Sequence, residues 1–155
     1  METLSLCHLF RGLSEAQVAR LAAITREVPI GKGQCLGHEG EPAKEFFVLK
    51  DGAVEQITKV GGDFELPIAM LREAGSSFGA SGLVAPYLYS LSARCAEDGT
   101  MLVIQLADLQ KLMEEDRAIG CTIMTNWATH LLGRLKETRQ QLKIHFKCLL
   151  TSMHP

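Results

Sequence analysis

Two rhythms of apolar residues divide the chain. Between Val28 and Leu106 the hydrophobic residues fall in short runs, broken by Gly31, Gly33, Gly40, Gly52, Gly61-Gly62, Gly75 and Gly99. That spacing predicts many short strands and, with them, a small antiparallel barrel or jelly roll. Before it, Leu4 to Leu13 and Ser14 to Thr25 read as two short helices. The second opens on Ser14 with Gln17 three residues on, a pairing in which each side chain satisfies the other's backbone N–H. Within the strand region, Val54 to Leu71 reads as a hairpin turning at Gly61-Gly62, because tight hairpin turns demand positive φ. Ile68, Met70 and Leu71 are then expected to return the chain to the core.

After Ala107-Asp108-Leu109 the rhythm becomes helical, with a break expected near Asp116. Met124, Ala128, Leu131, Leu135, Thr138, Leu142, His145 and Leu149 follow intervals of four and three, which is a heptad seam. Ile119, Ile123 and Trp127 form a second stripe at intervals of four, placed to dock the helix on its own barrel. One stripe thus holds the helix home, and the other is left for a homodimer through Met124, Ala128, Leu131, Leu135 and Leu142. The competing reading makes the heptad intramolecular core. Arg134, Lys136, Glu137, Arg139 and Lys143 belong to a solvated face. The expected fold is mainly β with flanking helices, a single domain over residues 1–150. N-terminal helices occupy 1–26, a jelly-roll β-barrel (double-stranded β-helix) 27–106, and C-terminal helices, including the long dimerisation helix, 107–150.

A chain of 155 residues is long enough to bury one core without disulfides or metal. Its 46% hydrophobic and 22% charged residues match an ordinary globular composition. Sixteen basic residues against eighteen acidic ones, a net charge of -2, do not make the basic surface that gripping nucleic-acid phosphates requires. Direct nucleic-acid binding is therefore not expected. Cys7, Cys35, Cys95, Cys121 and Cys148 contain no C-x-x-C pair, and are expected to be reduced thiols packing mostly as small apolar groups. Met1-Glu2-Thr3-Leu4 does not begin a signal peptide, and no run reaches eighteen apolar residues, so the expectation is a cytoplasmic protein without membrane contact. G-x-S-x-G, H-E-x-x-H and Walker motifs are all missing, and catalysis is not expected. No metal or cofactor motif occurs. Neither His8 nor His38 stands in a frame that marks a haem ligand.

The most specific stretch is Gly75-Ser76-Ser77-Phe78-Gly79-Ala80-Ser81-Gly82-Leu83, followed by Ser90-Leu91-Ser92-Ala93-Arg94-Cys95. A glycine, a short apolar turn and a strand bearing serines form a cradle whose backbone N–H groups can face an anion. Together with Lys32-Gly33-Gln34-Cys35-Leu36, Gly40-Glu41-Pro42-Ala43 and the turn at Asp51-Gly52, it resembles the cyclic-nucleotide-binding family over roughly residues 5 to 148. That family includes catabolite-activator-type regulators and the regulatory domains of cyclic-nucleotide-dependent kinases and channels. The resemblance implies a ligand site at Phe78, Gly79, Ala80, Ser81, Tyr89, Ser90 and Ser92, with Arg134 approaching from the long helix.

Two departures from the family pattern change what that site should bind. Where the family reads Phe-Gly-Glu, its acid holding the ribose, this chain has Phe78-Gly79-Ala80. Where the family places an arginine against the cyclic phosphate, it has Tyr89 before Ser90. Hydrogen bonds to charged groups contribute about 1.5–3 kcal/mol each, so losing both removes about 3–6 kcal/mol, a hundredfold to ten-thousandfold in affinity. Cyclic AMP, or another small anion, is accordingly expected to bind weakly or not at all. Arg94 shares strand parity with Ser90 and Ser92, but is expected to pair with a carboxylate rather than serve a ligand.

Family regulators follow their long helix with a DNA-reading helix-turn-helix, whereas this sequence reaches Pro155 a few residues after the helix. The expected function is a non-enzymatic regulatory or sensory module, homodimeric, with a small-molecule ligand or a protein partner. The alternatives are a protein-interaction scaffold with a vestigial pocket, and the input domain of a transcription regulator lacking its DNA-binding part.

Overall fold

Four consecutive apolar residues, Phe46-Phe47-Val48-Leu49, organise the molecule because both of their faces are covered. They lie in β3 (Glu45–Lys59), which pairs antiparallel along its length with β6 (Ser92–Gln105). Phe46 and Val48, with Leu102 and Ile104 across the ladder, face one core; Phe47 and Leu49, with Met101 and Val103, face another. The alternation follows from the two-residue period of a strand, and an unbroken apolar run is its signature when both faces are buried. The computed structural model describes residues 1–154.

The remaining strands extend this pair into one antiparallel six-stranded sheet. Its path runs from β1 (Thr25–Ile30) through β6 and β3 to β4 (Glu65–Leu71), with β2 (Cys35–Gly37) on β6 and β5 (Ser77–Phe78) on β3. The sheet coils as a jelly roll but does not close on itself, since β1 and β4 have no partner on their outer edges. The hairpin between β3 and β4 turns at Gly61 and Gly62, both at positive φ. Ile68 and Met70, however, do not return to the core. They are 41% and 44% exposed, and only Leu71 packs against the sheet interior. An alternating strand cannot bury residues two apart on its outer face.

The first of the two cores is closed by helices. α1 (Glu2–Leu6), a 3-10 turn at His8–Phe10 and α2 (Glu15–Ala23) supply Leu4, Leu9, Phe10, Val18 and Leu21. Ser14 caps α2 as its spacing predicts: Gln17 N–H donates to Ser14 Oγ at 3.2 Å, and Ser14 N–H donates to Gln17 Oε1 at 2.9 Å. Behind the sheet, α3 (Leu106–Glu115) ends at Asp116, whose side chain then caps α4 (Arg117–Met153). The expected break thus falls on Asp116 itself. Ile119 and Ile123 of α4 are fully buried in the helical core and Trp127 packs against it.

The cysteines divide differently from expectation. All five are free thiols, with Cys7 and Cys95 buried but Cys35, Cys121 and Cys148 exposed. Cys121 lies on the outer face of the docked turns of α4, and Cys148 near its exposed end. Among the described residues, no helix is long and apolar enough to cross a membrane.

A candidate ligand cleft between the cassette and the long helix

Gly79 is where the site begins. It holds φ at +98°, and a Cβ there would lie 2.7 Å from the Glu45 carbonyl oxygen. A left-handed conformation and a backbone approach this close both require glycine. The chain therefore turns sharply out of β5 into a 3-10 turn at Ala80–Leu83. Phe78 anchors the turn by stacking on Phe47, with ring centroids 4.7 Å apart.

A cleft of about 480 Å³ opens between this turn and α4, within the range of small-molecule sites. Phe78, Gly79, Ala80, Ser81 and Ser90 line one side; Trp127, His130, Leu131 and Arg134 line the other. These are five of the cassette positions singled out from sequence, together with Arg134. Val84, Leu91 and Gln56 complete the wall. No carboxylate lines it, so Arg134 is its one permanently charged group.

Tyr89 and Ser92 stand outside that lining and are engaged elsewhere. The Tyr89 hydroxyl donates to the Glu45 carbonyl at 3.0 Å and accepts from Glu45 N–H at 3.2 Å. Its ring reaches the sheet interior beside Gly37 and Gly79, and burial pushes its phenol up from the usual range. Ser92 Oγ accepts from Glu39 N–H at 3.0 Å. Arg94 pairs with Glu65 at 3.0 Å and Glu55 at 3.7 Å, the structural role expected for it. Ala80 packs with the helical core and puts a methyl where the family pattern has a charge.

Two polar lining residues have no counterpart in the sequence reading. Gln56 is only 8% exposed and is the one buried polar residue among those described, with its carboxamide left open to the cleft. In sequence it is one polar residue among several in β3, and only the fold shows that it faces the cleft. His130 packs against His8 of the N-terminal 3-10 turn, with ring centroids 4.3 Å apart and planes tilted by 34°. Burial, then the charges of His130 and Arg11, push His8 down to about 4, and its Nε2 is buried without a partner. Burial and Arg134 likewise lower His130. Asn126 ties the same turn to α4 by donating to the carbonyls of Leu9 at 2.9 Å and Arg11 at 2.8 Å. Among the described residues, no three His, Cys, Asp or Glu side chains cluster as a metal site would require.

A jelly roll with a glycine-turned cassette facing a long helix defines a regulatory small-molecule-binding domain. The chain belongs to the cyclic nucleotide-binding domain family, which residues 27–116 match. Among curated proteins it is similar to the anaerobic regulatory protein of Bacillus subtilis, 27% identical over 129 residues. That match covers 82% of this chain and 53% of the relative, so the chain spans about half the length of that protein. Among solved structures it resembles the N-terminal domain of a transcriptional regulator from Streptomyces coelicolor, with a TM-score of 0.71 at 23% identity. The match covers 90% of this chain and 94% of that one. It also resembles the catabolite activator protein of Thermus thermophilus, with a TM-score of 0.74 at 23% identity, covering 88% of this chain and 62% of that one. These two likenesses are of fold.

Proposed function

We infer that this chain is a non-enzymatic regulatory or sensory module. It acts as a homodimer through α4, and its cleft binds cyclic AMP weakly or not at all. The observation that carries this reading is the cleft itself: it keeps the family's turn and helix but holds no acid for a sugar and no arginine on the cassette. Ala80 offers a methyl where a ribose hydroxyl needs an acceptor, and Tyr89 spends its hydroxyl on the Glu45 backbone. The remaining cation, Arg134, comes from the opposite wall.

Support for the dimer comes from what α4 leaves uncovered. Leu131, Leu135 and Leu142 are 47%, 52% and 57% exposed on the heptad stripe, while Ile119 and Ile123 already dock the helix on its own core. A stripe of half-exposed leucines at heptad spacing is what a coiled-coil partner buries. A ligand that moves α4 would change that seam. The protein is read as cytoplasmic.

A second reading has its own observation. Both the Bacillus relative and the Streptomyces structure are described as regulators, the latter as the N-terminal domain of one. Spanning about half of such a relative, this chain would correspond to the input half of a transcription regulator.

Sedimentation of the double variant Leu135→Glu, Leu142→Glu tests the seam without touching the cleft lining. A monomer with unchanged near-ultraviolet circular dichroism is expected; a variant that stays dimeric places the interface elsewhere. Melting with and without cyclic AMP or cyclic GMP tests the pocket. A rise in melting temperature at micromolar nucleotide would remove the weak-binding half of the reading.

A further inference from the structure

Resting on that reading of the cleft, we propose that its ligand is a flat, apolar-bodied monocarboxylate held by Arg134 and Gln56, not a sugar phosphate. Arg134 is half-buried on a stretch of α4 whose neighbours are exposed, and it forms no ion pair with any described residue. A guanidinium on a cleft wall without a counter-ion is free to take one, and a planar carboxylate matches its paired donors. A second copy of the chain does not supply that charge. In a parallel pairing along the heptad seam, the flank position set against residue 134 is five residues further on, and Arg139 occupies it. Arg134 is thus left free for a ligand's anion.

The second, independent observation is Gln56. It lies on the cleft wall, 8% exposed overall, with its carboxamide open to the cleft and free to bond a ligand. Between these two polar groups the walls are Phe78, Val84, Leu91, Trp127 and Leu131. They suit an apolar body, and an aromatic one can pack against Phe78 and Trp127. His130 is held towards its neutral form by burial and by Arg134 itself, and the only other cation-forming group packed against it is His8, also held neutral. With one permanent positive charge and no carboxylate, the cleft matches a single negative charge. A sugar's hydroxyl donors would find no anionic acceptor.

Trp127 is the single tryptophan of the chain, so its emission reports the cleft alone. Titrations of the whole protein with benzoate, phenylacetate and 3-phenylpropanoate, and with the uncharged isostere phenylacetamide, would be read at Trp127 and repeated on Arg134→Gln. At least one carboxylate should give a saturable change, and phenylacetamide should bind at least about tenfold more weakly. Arg134→Gln should lose about ten- to hundredfold in affinity for the carboxylate with its ligand-free melting unchanged. Three results each overturn the proposal: no carboxylate response up to about 10 mM, equal binding of phenylacetamide, or undiminished binding by Arg134→Gln. Cyclic AMP in the same titration separates the two failures. Its saturation at low micromolar concentration would sink the weak-nucleotide reading, whereas carboxylates and nucleotide both silent would sink this proposal alone.

Discussion

At Gly79 a single missing Cβ decides whether the cleft exists. With φ at +98° and the Glu45 carbonyl 2.7 Å from where a Cβ would sit, Gly79→Ala must both strain the backbone and push β3 away. Such strain costs about 1–3 kcal/mol before the clash is counted, and a chain of this size loses about 2–4 °C per kcal/mol. Thermal melting should therefore fall by about 5 °C or more; an unchanged melting temperature would mean that the turn is not held as described. Tyr89 shows the limit of reading residues singly. Its place before Ser90 is visible in the sequence, but its bonds to Glu45 depend on a contact between positions 44 residues apart. Gln56 is harder still, because neither its burial nor its place on the cleft wall has a local signature.

Among the elements, the joint between the N-terminal turn and α4 carries a pH dependence. His8 packs on His130 and lies near the Arg11 cation, while Arg134 and Glu137 act on His130 from α4 itself. Its folded pKa, about 4, lies below the unfolded value of 6.5, so the fold binds fewer protons than the open chain across that window. Stability contributed by the neutral pair is complete above about pH 6.5 and is lost as pH falls towards 4. Melting at about pH 5 should come several degrees below melting at pH 7.5, and His8→Leu should flatten that difference. Parallel profiles for the two proteins would show that the histidine pair is not the titrating contact. The helices themselves were largely legible: Ser14 and Gln17 announce α2, Asp116 marks the break, and Ile119, Ile123 and Trp127 identify the docking stripe. The contact of His8 with His130 was not, since it joins residues 122 apart.

For the whole molecule, the punctuation of short apolar runs by glycine was enough to place a jelly roll, because tight turns leave a compositional mark. What remained hidden was closure. The apolar residues of β4 look like core in sequence, yet Leu66, Ile68 and Met70 lie outward on an unpaired edge. The cleft was legible as a cassette from Phe78 to Ser81 with Arg134 opposite, but Ser92 and Tyr89 turn to other partners because strand direction and the 84–91 loop aim them away. The molecule thus combines a cyclic-nucleotide-binding fold with a cleft whose only fixed charge is on its helix. Calorimetric titration of the intact protein with cyclic AMP measures the consequence directly. Binding should remain unsaturated until about millimolar nucleotide, the hundredfold or greater loss expected without the acid and cassette arginine. Saturable binding at low micromolar concentration would contradict it.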